Sequence, residues 1–331
     1  MAEQMIDVTV VLVGGSLPST SMAPLEIFAM AGMAWGMLMG TPGELRFRVR
    51  TATIDGRPTQ NMVPVVLEPT MSLADVRRTD LVIIPAAGMD LERARTENAR
   101  LVDWVARRAR NTAMAGICTG ATLLAEAGLL DGRPGTTHWG LVDKARVLYP
   151  RVEWMADRFV TESGSVFCGG GVYASIDLSL YLVEHFCGHE IAVQTAKALL
   201  LETPRIWQST YAAQPPRSGH DDEPIQRAQK WIYAHYREPI DLDAIAAKVG
   251  MSPRNFARRF KAATSEAPLA YIHRLRIDAA RHYLENAQRS VQEICQQIGY
   301  EDVAFFRQLF RRHTGTSPRE YRARFGVRRA A

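Results

Sequence analysis

The residue best placed for covalent chemistry is Cys118, in the run Gly116-Ile-Cys-Thr-Gly120. The run follows an apolar segment, Thr112–Ile117, and precedes a helical pattern, Ala121–Leu130. G-x-C-x-G between a strand and a helix is typical of a nucleophile elbow, a sharp turn that carries the reactive side chain. We expect the helix N-terminus to favour the thiolate, and His138 offers a general base. The motif alone therefore predicts cysteine-dependent hydrolysis or a binding pocket of the same shape.

A second kind of chemistry is indicated by an internal repeat in the last third of the chain. Each copy predicts a short amphipathic helix that ends at a glycine, a tight connection and a second helix, which is a helix-turn-helix motif. Asp241 is expected to cap the first short helix, and a Ser290–Glu293 box the second. Leu242, Ile245, Val249 and Gly250 recur as Val291, Ile294, Ile298 and Gly299, while Phe256, Phe260, Thr264, Pro268 and Tyr271 recur as Phe306, Phe310, Thr314, Pro318 and Tyr321.

The outward positions of the two second helices are rich in side chains that recognise DNA. Arg, Asn and Gln pair with guanine and adenine edges, and Lys or Arg neutralise phosphates. A solvated basic face would explain one such helix, but two on a repeated scaffold favour DNA binding. The first helix offers Arg254, Asn255, Arg258, Arg259 and Lys261, and the second offers Ala304, Arg307, Gln308, Arg311 and Arg312.

The segment between the two motifs has a length that suits B-DNA. An uninterrupted helical pattern runs from Pro268 to Ala287, about 30 Å at 1.5 Å per residue. One turn of B-DNA is about 34 Å, so such a connector can set two recognition helices in successive major grooves. The expected target is a bipartite, non-palindromic site in double-stranded DNA.

The charge of the chain is unevenly distributed, which indicates two domains. The formal net charge is +5 over 331 residues, yet residues 221–331 hold 20 Lys/Arg against 13 Asp/Glu, a net +7. A stretch rich in proline and acids, Gln214–Pro224, is typical of a linker. We predict domains at 1–210 and 224–328, joined by a linker at 211–223, with the basic surplus in the second.

Before the linker, β-rich apolar runs alternate with helical patterns. Strands are expected at Val8–Val13, Phe47–Thr53, Leu81–Pro85 and Thr112–Ile117, with helices at Leu25–Leu38 and Thr96–Arg110 and a capped segment at Ser72–Asp75. This alternation predicts an α/β, doubly wound, parallel, flavodoxin-like sheet that binds ligands at the carboxyl ends of its strands. The second domain is expected to be all-α.

Membrane and secretory classes are not indicated. The longest uncharged apolar run, Ile27–Gly40, is shorter than a bilayer requires and is predicted to be a buried helix, with Met30, Met33 and Met37 in the core. The start of the chain lacks the features of a signal peptide, so we expect a cytoplasmic protein. No metal or cofactor is expected, and the remaining cysteines are interpreted as inert buried thiols: Cys168, Cys187 and Cys295.

The last hundred residues resemble the DNA-binding domain of AraC/XylS-family transcription regulators. The resemblance rests on Ser252–Phe260, Tyr271–Arg276, Ile298–Phe310 and Thr316–Arg322. It implies that the first exposed positions of each recognition helix touch bases. The apolar Val303 and Ala304 would contact thymine methyl groups, unless Arg307 and Gln308 make most contacts. The DNA-contacting residues so predicted are Arg254, Asn255, Arg258, Lys261, Val303, Ala304, Arg307, Gln308 and Arg311.

Residues 5–200 resemble the ThiJ/PfpI and class I glutamine amidotransferase superfamily. The resemblance rests on the Cys118 elbow, on Thr136-Thr-His-Trp139 and on Pro85-Ala-Ala-Gly88. Catalytic members usually add an acid near the N-terminus, where this chain has Thr20, and peptidase members a histidine after the cysteine, where it has Thr119. The elbow is therefore expected to be a vestigial nucleophile or effector pocket rather than an active site, formed by Cys118, His138, Thr20, Glu26, Gly88, Thr119 and Trp139.

The two resemblances together imply a transcription regulator that is expected to be an activator and not an enzyme. Its effector would be an amino acid or quaternary amine, the class to which regulators of this subgroup respond. Glu26, Trp35, His138 and Trp139 could surround such a cation, although Trp35 also fits core packing. We expect a homodimer formed through the first domain, and contact with RNA polymerase. The alternatives are a regulator that retains Cys118-dependent hydrolysis and an architectural DNA-binding protein.

Overall fold

The computed structural model describes residues 5–201, 220–286 and 289–325. The chain divides into two compact units, Met1–Gln208 and Ser209–Ala331. Residues 211–219 of the expected linker lie outside the described residues, and residues 220–222 lead into the first helix of the second unit.

The first unit is an α/β domain built on a seven-stranded sheet. Strand order is β10-β11-β7-β6-β1-β2-β5, parallel throughout except for the β10–β11 pair. The strands are β1 Ile6–Val11, β2 Phe47–Thr53, β3 Thr59–Gln60, β4 Val66–Leu67, β5 Met71–Ser72, β6 Leu81–Ile84, β7 Ala113–Ile117, β8 Pro134–Gly135, β9 Glu153–Trp154, β10 Val160–Ser163 and β11 Val166–Gly169. The helices are α1 Ser19–Met30, α2 Ala34–Met39, α3 Leu91–Glu97, α4 Ala99–Arg108, α5 Gly120–Glu126, α6 Val142–Leu148, α7 Ala174–Cys187 and α8 His189–Ala198.

The parallel sheet confirms the predicted fold class, with the four predicted strands adjacent at its centre. Successive residues of β6 point to opposite faces, as the period of a strand requires. Leu81 and Ile83 pack in one core with Phe28 of α1, while Val82 and Ile84 pack in the other with α4 and α5. The sheet is thus buried on both sides, which explains why its strands are apolar throughout.

The predicted helix Leu25–Leu38 is wrong as a single element. The chain leaves the helical conformation at Ala31 and has a positive φ of 79° at Gly32, so α1 and α2 are separate helices. Met37 is 70% exposed and Met30 37% exposed, so neither belongs to the core as predicted. A run without polar residues carries no signal for which side is buried, and this is why the pattern misled.

Two further elements differ from the prediction. Thr96–Arg110 is divided between α3 and α4, and Asp90 caps α3 by accepting hydrogen bonds from the N–H groups of Glu92 and Arg93. Ser72–Asp75 contains only a short 3-10 turn, Leu73–Asp75. Ser72–Asp75 is too short for helical periodicity to fix its bounds, whereas Thr96–Arg110 is interrupted at Asn98, which ends α3 and precedes α4.

Helices are the only regular secondary structure among the described residues of the second unit, as predicted. Its helices are α9 Glu223–His235, α10 Leu242–Lys248, α11 Pro253–Thr264, α12 Pro268–Asn286, α13 Val291–Gln297, α14 Val303–Thr314 and α15 Pro318–Phe325. Asp241 caps α10, and the Ser290–Glu293 box at the start of α13 is present, so both predicted caps are confirmed. Gly250 and Gly299 have φ values of 72° and 87°, the left-handed conformation that ends a helix.

The repeat extends to the packing of aromatic rings. Phe256, Phe260 and Tyr271 pack edge-to-face in series with centroid distances of 5.4 and 5.3 Å, and their counterparts Phe306, Phe310 and Tyr321 do so with 5.7 and 5.5 Å. The hydroxyls of Thr264 and Thr314 each donate to the carbonyl four residues earlier, at 2.7 and 2.8 Å. Equivalent sequence positions therefore perform the same structural task in both copies.

Helix α12 takes part in two separate cores. Tyr271, Ile272 and Leu275 pack with α9, α10 and α11, which we call lobe 1. Ile277, Ala280 and Leu284 pack with α13, α14 and α15, which we call lobe 2. The connector predicted at Pro268–Ala287 is thus a single helix that carries one helix-turn-helix lobe on each half.

Candidate nucleic-acid interface and candidate nucleophile

The outer face of α11 carries the predicted DNA-contacting residues of lobe 1. Arg254, Arg258 and Lys261 are exposed, and Asn255 is half-buried. A guanidinium nitrogen of Arg258 donates to Oδ1 of Asn255 at 2.9 Å, so these two side chains form a pair already oriented on the helix surface. Such a pair presents amide and guanidinium donors together, the groups that recognise purine edges.

Arg259 lies on the side of α11 that meets the start of the second unit. Its guanidinium contacts the Asp222 carboxylate through two hydrogen bonds, 3.0 Å from Nε and 2.8 Å from a terminal nitrogen. The ion pair holds the pKa of Asp222 below its usual range. Arg259 is half-buried, so its expected place among the outward residues is wrong. The partner is 37 residues away, and periodicity cannot indicate such a contact.

The outer face of α14 carries the corresponding residues of lobe 2. Ala304, Arg307, Gln308 and Arg311 are exposed, whereas Val303 is half-buried against the lobe 2 core. Ala304 is therefore better placed than Val303 for an apolar contact with a base. Sequence reasoning missed Phe305, which is 44% exposed and lies beside Tyr300 and His273, with ring centroids 5.8 and 6.0 Å away.

Both recognition helices are electrostatically suited to phosphate. The sequence has no Asp or Glu from Pro253 to Thr264 or from Val303 to Thr314. Ser252 caps α11 and Asp302 caps α14, so the carboxylate of Asp302 is occupied by the N–H groups of Ala304 and Phe305 at 2.7 and 3.1 Å. The positive ends of the helix dipoles and the exposed arginines therefore both attract phosphate groups.

The Cys118 turn has the geometry of a nucleophile elbow. The backbone of Cys118 has a φ of 56°, a conformation that residues other than glycine rarely adopt. A Cβ at Gly120 would overlap the carbonyl oxygens of Ile84 and Pro85, the latter at 2.5 Å, and one at Gly116 would lie 2.7 Å from Cα of Ala121. The two glycines of G-x-C-x-G are thus required by the close packing of β6, β7 and α5.

The polar groups around the elbow bond to one another. Thr119 donates to the carbonyl of Gly88 at 2.9 Å and accepts from the N–H of Ala87 at 2.8 Å. Thr20, in the position that the resemblance assigns to the acid, donates to the carbonyl of Leu17 at 2.7 Å and accepts from Ala86. Thr20 is buried and its hydroxyl has no charge to offer a cysteine. At the position that the resemblance assigns to the acid, this chain therefore offers a hydroxyl and not a carboxylate.

Burial dominates the acidity of Cys118. The side chain is 2% exposed, and burial raises the pKa of its thiol to about 11, although backbone N–H groups of Thr119 and His138 act in the opposite direction. The direction is opposite to the one expected for the thiolate, because desolvation of the charge outweighs the hydrogen bonds from these backbone N–H groups. Burial similarly raises the pKa of Cys168 to about 11, whereas Cys187 is only half-buried, contrary to prediction.

The His138 ring is engaged by its own loop. Its Nδ1 accepts a hydrogen bond from the N–H of Gly140 at 3.1 Å, so Nε2 carries the proton of the neutral ring. Burial lowers the pKa of His138, which favours the neutral form of the ring. Its neighbour Trp139 lies 5.3 Å away between ring centroids, and the pair forms a half-buried aromatic surface.

The residues of the expected effector pocket are only partly brought together. Thr119 bonds to Ala87 and Gly88, Thr20 accepts from the nearby N–H of Ala86, and His138 contributes a backbone N–H to Cys118. Of the residues expected to surround a cation, His138 and Trp139 lie side by side. Trp35 instead lies beneath Lys197 of α8, with Nζ 6.0 Å from its ring. Glu26 is exposed on α1. A cavity of about 720 Å³ elsewhere in the unit lies between α1 and β2, lined by residues that include Met22, Leu25, Phe47, Arg48, Arg50 and Glu68.

Comparison with known proteins defines the class of each unit. A helix-turn-helix domain model matches residues 245–324, and a DJ-1/PfpI family model matches residues 30–185. No helix among the described residues has the length and apolar character needed to cross a membrane. The protein is a helix-turn-helix transcription regulator with an α/β first unit.

Two relatives that align with most of this chain are also named as helix-turn-helix transcriptional regulators. The chain is 28% identical over 279 residues to the HTH-type transcriptional regulator CdhR of Pseudomonas aeruginosa, covering 84% of this chain and 82% of that protein. It is 27% identical over 282 residues to GbdR of the same species, covering 85% and 76%. The chain belongs to the AraC-type helix-turn-helix regulators that carry a DJ-1/PfpI-family domain.

Solved structures agree with the fold of the first unit. Drosophila melanogaster DJ-1beta matches with a TM-score of 0.51 and 22% identity, covering 60% of this chain and 100% of that one. A putative transcriptional regulator from Vibrio parahaemolyticus also gives 0.51 and 22%, covering 59% and 100%. At this identity the likeness concerns the fold.

Proposed function

We propose that the protein is a sequence-specific regulator whose two lobes bind adjacent major-groove segments of one bipartite operator. The observation that carries this proposal is the pair of acid-free helices, α11 and α14, which are equivalent elements of a repeated fold and each present exposed arginines. Their shared support, α12, has 19 residues and is about 28 Å long. Base contacts are assigned to Arg254, Asn255 and Arg258 in lobe 1, and to Ala304, Arg307 and Gln308 in lobe 2, with Lys261 and Arg311 on phosphates.

The test is selection of binding sites from a random pool of duplexes by the full-length chain. We expect two preferred segments about one helical turn apart, without two-fold symmetry between them. A single short preferred segment would contradict the use of both lobes. Binding to every duplex with equal affinity would instead favour an architectural protein.

We further propose that the first unit senses a small molecule and has no catalytic activity. This is supported by the raised pKa of Cys118 and by the hydroxyl of Thr20 in place of an acid. An amino acid or quaternary amine is the proposed class of effector. Melting temperatures of the full-length chain with arginine, carnitine, glycine betaine and related compounds would test this, since a ligand of the native state raises Tm.

A matching compound should also change transcription from a selected operator in a purified system with RNA polymerase. We propose activation through contact with the polymerase, in the cytoplasm. Constitutive transcription with no Tm change across the panel would contradict the sensor. Repression by the same compound would contradict the proposed activation, but not the proposed sensing of a small molecule.

The proposed homodimer would form through the first unit, where large apolar side chains are exposed on α2 and the β4 region. Met37 is 70% exposed, Leu38 63% and Val66 51%. Contiguous exposed apolar side chains typically mark an interface, and on α2 Met37, Leu38 and Met39 follow one another in the chain. Sedimentation of the wild type and of a Met37→Lys, Leu38→Lys variant tests this: the wild type should be dimeric and the variant largely monomeric. A monomeric wild type would overturn the proposal.

The alternative of Cys118-dependent hydrolysis is favoured by one observation, the retained elbow with its φ of 56°. Covalent labelling of Cys118 by a turned-over ester or amide, abolished in Cys118→Ala, would support hydrolysis. Failure to label, with normal regulation by Cys118→Ala, would support the sensor.

A further inference from the structure

Arg276 lies on α12 at the boundary between the two lobes. The preceding residue, Leu275, belongs to the lobe 1 core, and the following residue, Ile277, belongs to the lobe 2 core. Arg276 itself is only 8% exposed. A guanidinium so buried must have its donors satisfied, because an unpaired buried charge strongly destabilises a fold.

The donors of Arg276 reach backbone carbonyls in both lobes. In lobe 1, Nε donates to the carbonyl of Tyr236 at 2.6 Å and Nη2 to that of Glu238 at 2.8 Å. In lobe 2, Nη1 donates to the carbonyl of Gly299 at 2.8 Å. The guanidinium carbon also lies 4.9 Å from the centroid of the Tyr300 ring, within the range of a cation–π interaction. One side chain therefore joins the segment after α9 to the turn between α13 and α14.

These two segments are also in direct backbone contact. A Cβ at Gly299 would lie 2.5 Å from the carbonyl oxygen of Arg237, so only glycine fits there. Gly299 is three residues before Asp302, the cap of α14. Any shift of this turn away from lobe 1 therefore displaces the start of the second recognition helix.

A rigid connection of this kind determines which DNA spacing the protein can accept. Each inserted base pair moves one half-site by about 3.4 Å and rotates it by about 35° around the DNA axis. A protein with fixed lobes must lose contacts or distort the DNA to follow that change, whereas loosely joined lobes can adjust.

We propose that Arg276 is a positioning residue that fixes the distance and rotation between α11 and α14, and so sets the half-site spacing that the chain accepts. This inference rests on the proposed bipartite binding. It assigns a role in DNA recognition to a residue that contacts no base.

The test compares Arg276→Met with Arg274→Met in the full-length chain. Both substitutions remove one buried guanidinium from α12, since Arg274 is 6% exposed. Arg274, however, bonds to Glu266 at 3.0 Å and faces Asp278 of its own helix at 3.7 Å, so its partners lie in lobe 1 and in α12. The probes are a duplex selected by the wild type and two derivatives with one base pair inserted or deleted between the half-sites.

We expect the wild type and Arg274→Met to lose about tenfold in affinity on each altered duplex, comparable to a mismatched base pair. Arg276→Met should lose less than about threefold, because its lobes can adjust. Retention of the wild-type ratio by a folded Arg276→Met would overturn the inference.

Arg276→Lys decides the matter if Arg276→Met does not fold. Lysine keeps the charge, but a single ammonium cannot reproduce the planar fork that reaches three carbonyls. We expect an intermediate spacing ratio, and the full wild-type ratio would again overturn the inference. If the wild type selects no second half-site, bipartite binding itself is wrong. If the wild type selects two half-sites but is indifferent to their spacing, or if the folded Arg276 variants are as sensitive to spacing as the wild type, only the role of Arg276 is wrong.

Discussion

The Cys118 elbow and the two recognition helices differ in how their polar groups are used. At the elbow, the hydroxyls of Thr20 and Thr119 bond to neighbouring backbone, and the thiol is buried. On α11 and α14, by contrast, the long side chains of Arg254 and Arg307 are exposed to solvent. The elbow thus retains the backbone geometry of its motif around a buried thiol, whereas the recognition helices hold their arginines accessible to a partner.

The two lobes show a related difference on a smaller scale. Their buried positions are nearly identical in type, Phe256 and Phe260 in one and Phe306 and Phe310 in the other. Their outer positions are not, because Asn255 of lobe 1 corresponds to Phe305 of lobe 2 at the 50-residue offset of the repeat. The core is repeated while the DNA-facing surface varies, so we expect the two half-sites to differ in sequence.

The largest effect is expected from Gly120→Ala, which would break the elbow by geometry. Its Cβ would overlap the backbone of Ile84 and Pro85, which cannot move without displacing β6. We expect a loss of about 3 kcal/mol or more in the free energy of unfolding, measured by urea denaturation. Gly14→Ala is the control, since its Cβ would meet only the Gln60 carbonyl at 3.8 Å. Equal stability of the two variants would contradict the packing described for the elbow.

Arg258→Ala and Arg307→Ala should each weaken binding to a selected duplex by about 1–3 kcal/mol, with a smaller loss on random DNA. Titration by fluorescence anisotropy at fixed salt measures both. Arg259→Ala is the matched control on α11, because that guanidinium is engaged by Asp222. If Arg259→Ala weakened DNA binding as much as Arg258→Ala, the assignment of Arg258 to DNA contact and of Arg259 to the Asp222 ion pair would be contradicted.

A smaller effect is expected from Asp222→Ala, which removes the cap of α9 and the partner of Arg259. We expect a loss of about 1 kcal/mol in the free energy of unfolding. Because the folded-state pKa of Asp222 is lowered, its stabilisation is present above about pH 4, its ordinary range, and is lost as the pH falls through the lowered value. Denaturation of both proteins at several pH values should show their stabilities converging in acid; a constant difference would contradict the ion pair.

The smallest effect is expected from Cys118→Ala, which should leave DNA affinity unchanged. With a pKa of about 11, the thiol is neutral at pH 7.5 and should react with iodoacetamide more slowly than the half-buried Cys187. Peptide mapping after timed alkylation gives the order of labelling. Cys118 labelled first would show that the elbow presents a reactive thiolate.

The helical third could be predicted almost completely from the sequence. Its elements have strong local signals, such as the Ser290–Glu293 box and the glycines at 250 and 299, and the repeat provides each signal twice. What could not be predicted depends on distant contacts, including the Asp222–Arg259 pair and the three carbonyls that Arg276 reaches. Sequence spacing carries no information about such partners.

The first unit was predictable in its sheet but not around its site. Buried parallel strands such as Leu81–Ile84 are continuous apolar runs and are easily recognised. The motif located the elbow, but the acidity of Cys118 depends on the burial created by the whole fold, so a rule based on the helix N-terminus predicted the wrong direction. Apolar runs such as Met37–Met39 look alike whether buried or exposed.

The central claim, that the two lobes read separate halves of one site, is tested most directly by the base preferences of Arg258→Ala and Arg307→Ala. Each variant would be used in turn to select duplexes from the same random pool as the wild type. We predict that Arg258→Ala loses base preference in one half-site only, and Arg307→Ala in the other only. Loss in the same segment by both variants, or in neither, would contradict the claim.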